Sequence, residues 1–187
     1  MGKTTEHIHV QWEGPFSYDD ACKLRDGAHD YGIYQIYGSH PVYGSDVLIY
    51  IGKADIQTFG ARLSQHHWHY TNQDKLTVYV GRLHGYGDTP ADTQWSQQIA
   101  HVERLLIYSH WPAGNSSGLN VQLRDDFHYI HVLNWGKFRD LLPEVSGARY
   151  SNMYYSEEGY TPYKLEQHQP AQASEIVELL DEVAETL

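Results

Sequence analysis

The residues able to do chemistry in this chain are two phenols, a lysine, a guanidinium, an imidazole and a carboxylate. Tyr34 closes the triplet Gly32-Ile33-Tyr34, and Tyr50 opens the triplet Tyr50-Ile51-Gly52. Each triplet lies in a run that reads as a strand, Tyr31 to Tyr37 and then Val47 to Gly52. Turn formers fill the gap between them, Gly38-Ser39-His40-Pro41 and Gly44-Ser45-Asp46. The two runs therefore predict a hairpin, on which the two phenols can converge. A phenol with an ordinary pKa near ~10 is a poor base at neutral pH, so it needs a cation or a base beside it. Lys53 follows the second triplet directly. Arg62 offers a planar fork that suits two oxygens of a phosphate. His66 lies one helical turn beyond it, on the same face of a helix expected there. Glu103 sits among Ile99, Val102, Leu106 and Ile107. A carboxylate on the rim of a buried face needs a partner, and a metal ion would be one.

Phosphodiester hydrolysis asks for these groups. Water must lose a proton, the non-bridging oxygens must be neutralised, the leaving oxygen must be stabilised, and everything must be held in line. In this order the residues resemble the GIY-YIG nuclease superfamily, over roughly residues 30–120. The resemblance implies that Tyr34 and Tyr50 are the signature tyrosines, with Lys53 tuning or positioning them. It implies that Arg62 binds the scissile phosphate and that Glu103 alone holds one Mg²⁺ or Mn²⁺. One carboxylate with waters and phosphate oxygens is ordinary magnesium coordination. Asn115, in the loop after Pro112, would fix the geometry of the site, with Asn120 as a rival for that role. His66 stands at the offset from the arginine that the restriction-endonuclease branch uses, where a histidine accepts the first tyrosine's proton. Zinc held by His66 and His69 ranks below magnesium, because no cysteine or second pair completes such a site. The implied activity is divalent-metal-dependent cleavage of DNA, with Tyr34 as base. A homodimer is one way to supply two active sites. The competing reading is a module on the same fold that binds nucleic acid or protein without cutting.

The elements that must position these groups follow from periodicity and caps. His7 to Trp12 alternates as a strand that Gly14-Pro15 should end. Ser17 should cap a short helix through Leu24. Thr58 should cap a helix reaching about Tyr70. Leu76 to Leu83 is the clearest strand. A helix from Asp92 or Thr93 carries Trp95, Ile99, Val102, Leu105, Leu106 and Tyr108 on one face, and Pro112 and Gly114 should stop it. Phe127 to Asn134 reads as extended, 136–142 as one or two helical turns, and 146–172 as irregular. Ser174 to Leu187 reads as an amphipathic helix with acidic residues on its outer face. Periodicity gives only α+β. The resemblance sharpens this to a small three-stranded, antiparallel-type central sheet flanked by helices. Around it would lie an N-terminal strand and helix and a C-terminal extension, 121–187, in one domain of 1–187.

Composition constrains the partners. The 187 residues carry 13 Lys and Arg against 24 Asp and Glu, a net charge of −11. Residues 1–150 hold 12 of the basic and 16 of the acidic residues, so the tail carries most of the excess. That balance opposes strong non-specific binding to DNA and leaves room for a local basic patch. The single cysteine, Cys22, excludes an internal disulfide. With no apolar run of membrane-spanning length and no signal-peptide core at the N-terminus, the expectation is a cytoplasmic protein without a membrane.

Overall fold

A computed structural model of the chain describes residues 4–66, 75–85, 89–119, 123 and 127–150. The chain divides into two compact units, Met1–Tyr154 and Tyr155–Leu187, and the described residues all belong to the first. The helix expected over 174–187 lies outside the described residues, as do His67, His69 and Asn120.

The elements run β1 (Glu6–Ser17), α1 (Tyr18–Ala21), β2 (Gly32–His40), β3 (Gly44–Ala54), α2 (Phe59–Leu63), β4 (Thr77–His84), α3 (Asp92–His110), β5 (Ile130–Gly136) and β6 (Glu144–Ser146). They form one six-stranded mixed sheet in the order β3-β2-β4-β1-β5-β6. This corrects the expected three-stranded sheet flanked by helices. Strands β3, β2 and β4 are antiparallel neighbours, but the sheet does not stop at β4. Strand β1 pairs with β4 antiparallel and with β5 parallel, and β6 adds a short antiparallel rim. The structure is dominated by this curled sheet, with three α-helices among the described residues.

Burial explains the extra strands. In β1, Ile8, Val10 and Trp12 are buried while His7, His9 and Gln11 on the alternate face are partly open. An apolar row of that length must be covered, and it joins Ile33, Ile51, Val132 and the inner face of α3 in one core. The Trp12 indole N–H donates to Asn134 Oδ1 at 2.8 Å, tying β1 to β5 across the interior. Asn134 also donates to Leu142 O, and its backbone N–H donates to Pro143 O, so one buried amide holds the turn before β6. The other face carries a second core, in which Tyr18, Phe59 and Leu63 cover Tyr34, Ile36, Val78 and Val80. Strand β2 is buried on both sides, as a central strand between two cores should be.

Three local expectations are also corrected. Gly14-Pro15 does not end β1: the peptide is cis, the ladder slips between Glu13 and Phe16, and pairing resumes to Ser17. Helix α2 stops at Leu63 instead of continuing toward Tyr70; the Ser64 hydroxyl donates back to Gly60 O, and the next N–H groups turn to Arg62 O and Leu63 O. Residues 136–142 form turns and no helix. Among the described residues no helix is long and apolar enough to cross a membrane.

Candidate active site

The site is built on the outer strand β3 and is reached from both faces of the sheet. Tyr34 pairs with Gly52 and Ile36 with Tyr50, so both phenols lie on the face covered by α2. Gly52 is required there. A Cβ on it would sit 2.6 Å from the Tyr34 hydroxyl oxygen and from the Tyr50 ring, so the missing side chain is the space the first phenol occupies. The two rings lie 6.1 Å apart at 27°. Gly32 keeps a left-handed φ of +139° and presses on the Gly81 carbonyl, where any side chain would collide.

His66 meets both phenols. Its Nε2 is 2.6 Å from the Tyr34 oxygen, and its ring is 5.3 Å from that of Tyr50. The short turn after α2 delivers it, through Gln65 N–H to Arg62 O and His66 N–H to Leu63 O. Burial first, and then the Arg62 charge, pull its pKa down to about 4. The imidazole is therefore neutral at neutral pH and has a lone pair to offer. Burial drives the Tyr34 phenol well above its ordinary value, and the neighbouring Tyr50 adds to this. Arg62 opposes the shift by charge and hydrogen bonding, as it does at Tyr50, which burial also raises. An arginine can only donate. In the tautomer that leaves Nε2 bare, the Tyr34 hydroxyl donates to His66 while its oxygen accepts from Arg62. Tyr34 itself is fully buried; Tyr50, Arg62 and His66 are partly exposed.

The other face supplies Lys53, Asp55 and Glu103. Lys53 Nζ is 2.6 Å from Asp55 Oδ2, and Ser96 on α3 donates to the same carboxylate at 3.2 Å. Seven residues on, along the same helix, Glu103 approaches the Lys53 backbone N–H. Burial raises the Glu103 pKa to about 7, with the Asp55 charge adding to the rise, while Lys53, Arg62 and that backbone N–H hold it back. Asp55 and Ser96 were missed in the sequence, where no motif marks them; the only signal was an acid two residues past Lys53.

Among the described residues no three His, Cys, Asp or Glu side chains cluster as a metal site. The donor set nevertheless suits one hard divalent cation. Glu103 is a half-buried carboxyl whose pKa burial raises, and a cation would relieve that. Glu103 would hold it, leaving the remaining positions to water and phosphate oxygens.

Asn115 is buried beside these groups and bonds to the backbone instead of to them. It accepts from Ile51 N–H at 3.0 Å and donates to Ile51 O at 2.9 Å. Ala113 N–H and Gly114 N–H donate to Leu48 O and Ile49 O in the same manner. The loop after α3 therefore runs along β3 and fixes the Tyr50-Ile51-Gly52 triplet. Removing both bonds in Asn115→Ala strands a buried donor and acceptor, at ~1–3 kcal/mol each. We expect a loss of roughly 2–4 kcal/mol in urea unfolding with an unchanged m-value. A loss below ~0.5 kcal/mol would mean that water replaces the amide at no cost.

The structure thus brings together Tyr34, Tyr50, Lys53, Arg62, His66 and Glu103, with Asn115 behind them. Compared with protein-family models, curated proteins and solved structures, the chain matches none.

Proposed function

We propose that this protein is a divalent-metal-dependent endonuclease that hydrolyses DNA phosphodiester bonds in the GIY-YIG manner. The observation that carries the reading is the 2.6 Å contact of Tyr34 with a neutral His66, beside Arg62. Tyr34 and His66 act as one proton-accepting unit: the phenol takes a proton from water and passes its own to Nε2. Arg62 binds the scissile phosphate with its fork and lowers the cost of charge on both phenol oxygens. Lys53 is held in place by Asp55 and Ser96, and Tyr50 lies at the open side of the pair. The ion at Glu103, when bound, supplies Lewis-acid stabilisation of the phosphate charge. We place the enzyme in the cytoplasm, where the lone Cys22 stays reduced.

One observation favours the competing reading of a non-cleaving module on the same site. Tyr34 is completely buried, so water reaches its oxygen only if His66 or its neighbours move aside. Nicking of supercoiled plasmid separates the two. The nuclease reading expects nicks with Mg²⁺ or Mn²⁺ and none with EDTA. It also expects Arg62→Lys to lose rate, because the charge remains while the bidentate fork is lost. Metal-independent nicking, or none at any metal concentration, would end it.

A further inference from the structure

The sheet face that carries Tyr34 continues past the candidate active site. Tyr34 pairs with Val80 on β4 and Val80 with Glu13 on β1. Four residues further along β4, about 13 Å at ~3.3 Å per residue, His84 pairs with His9. Gln11, on the same face of β1, pairs with Trp135 of β5. Trp135 is 51% exposed, and its position is specific. Its indole N–H donates to His9 Nδ1 at 3.0 Å, and the two rings lie at 9° to one another with centroids 6.0 Å apart. Rings layered face to face stand at least ~3.5 Å apart, so a 3.0 Å N–H···N contact cannot join them. The two near-parallel rings are therefore set edge beside edge and not layered face to face. Together they make a flat aromatic plate with an internal hydrogen bond.

Beside this plate is a hollow of about 390 Å³ lined by His9, Gln11, His84, Gly85 and Trp135. Gly136, which follows Trp135, holds φ at +74° and leaves its missing side chain's place to the Gln11 amide. Among the described residues that line it there is no lysine, arginine or carboxylate, so this part of the hollow suits a neutral ligand and not a phosphate. It offers a planar stacking surface and, in Gln11, an amide that can donate and accept along the edge of a heterocycle.

We infer that this hollow binds one unpaired nucleobase of a nucleic-acid strand, stacked on the Trp135–His9 plate with its edge read by Gln11 and His84. That the base comes from a strand and not from a free nucleoside rests on the proposed nuclease function. Base and scissile phosphate would lie on one sheet face, about 16 Å apart when the ~4.8 Å strand spacing is included, which is roughly five nucleotide rises of ~3.4 Å. The acidic chain would thereby gain affinity from stacking, which needs no positive charge.

The test measures binding without cleavage. Fluorescence anisotropy in EDTA would compare short labelled duplexes that are fully paired, carry one unpaired adenine, or carry an abasic site at the same place. We expect the wild type to prefer the unpaired adenine about tenfold over both others. Trp135→Ala and His9→Ala should abolish that preference with unchanged thermal melts, and Trp135→Phe should keep part of it. No preference in the wild type, or full preference in Trp135→Ala, overturns the inference. Free adenosine competing as well as the adenine-containing duplex would assign the hollow to a nucleoside and overturn the strand assignment. The plasmid assay fails separately: Trp135-dependent binding without any nicking ends the nuclease reading alone, and nicking without base preference ends this one alone.

Discussion

Glu103→Gln is expected to abolish metal-dependent cleavage and, at neutral pH and above, to make the protein more stable. Both effects come from the same carboxyl. Burial lifts the Glu103 pKa to about 7 in the folded protein, against an ordinary glutamate value of 4.5. Below pH 4.5 it is protonated in both states and pH does not affect stability through it. As pH rises from 4.5 to 7 the unfolded chain releases the proton while the folded chain keeps it, so stability falls, and above 7 the loss is complete. Its size is about 3 kcal/mol at most. Glutamine is neutral, near in shape and still able to accept from the Lys53 N–H, so it escapes this cost. Thermal melts should coincide near pH 4 and separate above pH 7, with the variant higher. Adding Mg²⁺ should then raise the wild-type melting temperature and leave the variant unmoved. A variant that still nicks plasmid, or that melts lower than wild type at pH 8, would remove Glu103 from the site.

The second large effect is expected at the proton-accepting pair. Tyr34→Phe keeps the ring over Gly52 and removes only the hydroxyl that meets His66. Folding should survive with a loss of about 1–2 kcal/mol, as for one buried hydrogen bond. Cleavage should fall by ~10²–10⁴, the range of a general acid–base step. His66→Ala should fall within the same range. The double variant should be little worse than either single one, because the two groups handle one proton. Multiplicative losses in the double variant would show two separate roles. Unchanged rates in Tyr34→Phe would make the tyrosine a packing residue.

The hairpin and the long helix were legible because their signals are local. Turn formers bound β2 and β3, and α3 repeats its apolar face until Trp111 takes a left-handed conformation. The breadth of the sheet was not legible. Alternation in His7 to Trp12 marks a strand but names no neighbour, and its parallel partner is more than a hundred residues away. Gly14-Pro15 misled for a related reason: the ladder slips there and resumes, which composition does not reveal. At the site, the spacing from Arg62 to His66 pointed to a shared helical face. His66 instead arrives on a tight turn after a five-residue helix, where a 3-10-like step leaves it beside the same phenols. Asn115 was expected to shape the site; the structure places it behind the other groups, with two bonds to the Ile51 backbone. Asp55 and Ser96 were invisible because their partner, Lys53, is brought to them by the end of β3 and the start of α3.

The clamp on Ile51 also bears on assembly. A strand at the border of a sheet usually presents a row of unpaired amides and carbonyls, which a neighbouring molecule can use as a template. Over Leu48 to Ile51, the middle of β3, that row is already taken, by Ala113 and Gly114 at Leu48 and Ile49 and by Asn115 at Ile51. At the opposite border β6 is only three residues long. A second copy therefore cannot pair with this middle stretch of β3 without first detaching the loop that holds the candidate site in register. The same loop that orders the tyrosines makes strand exchange and fibril-like growth at this border costly.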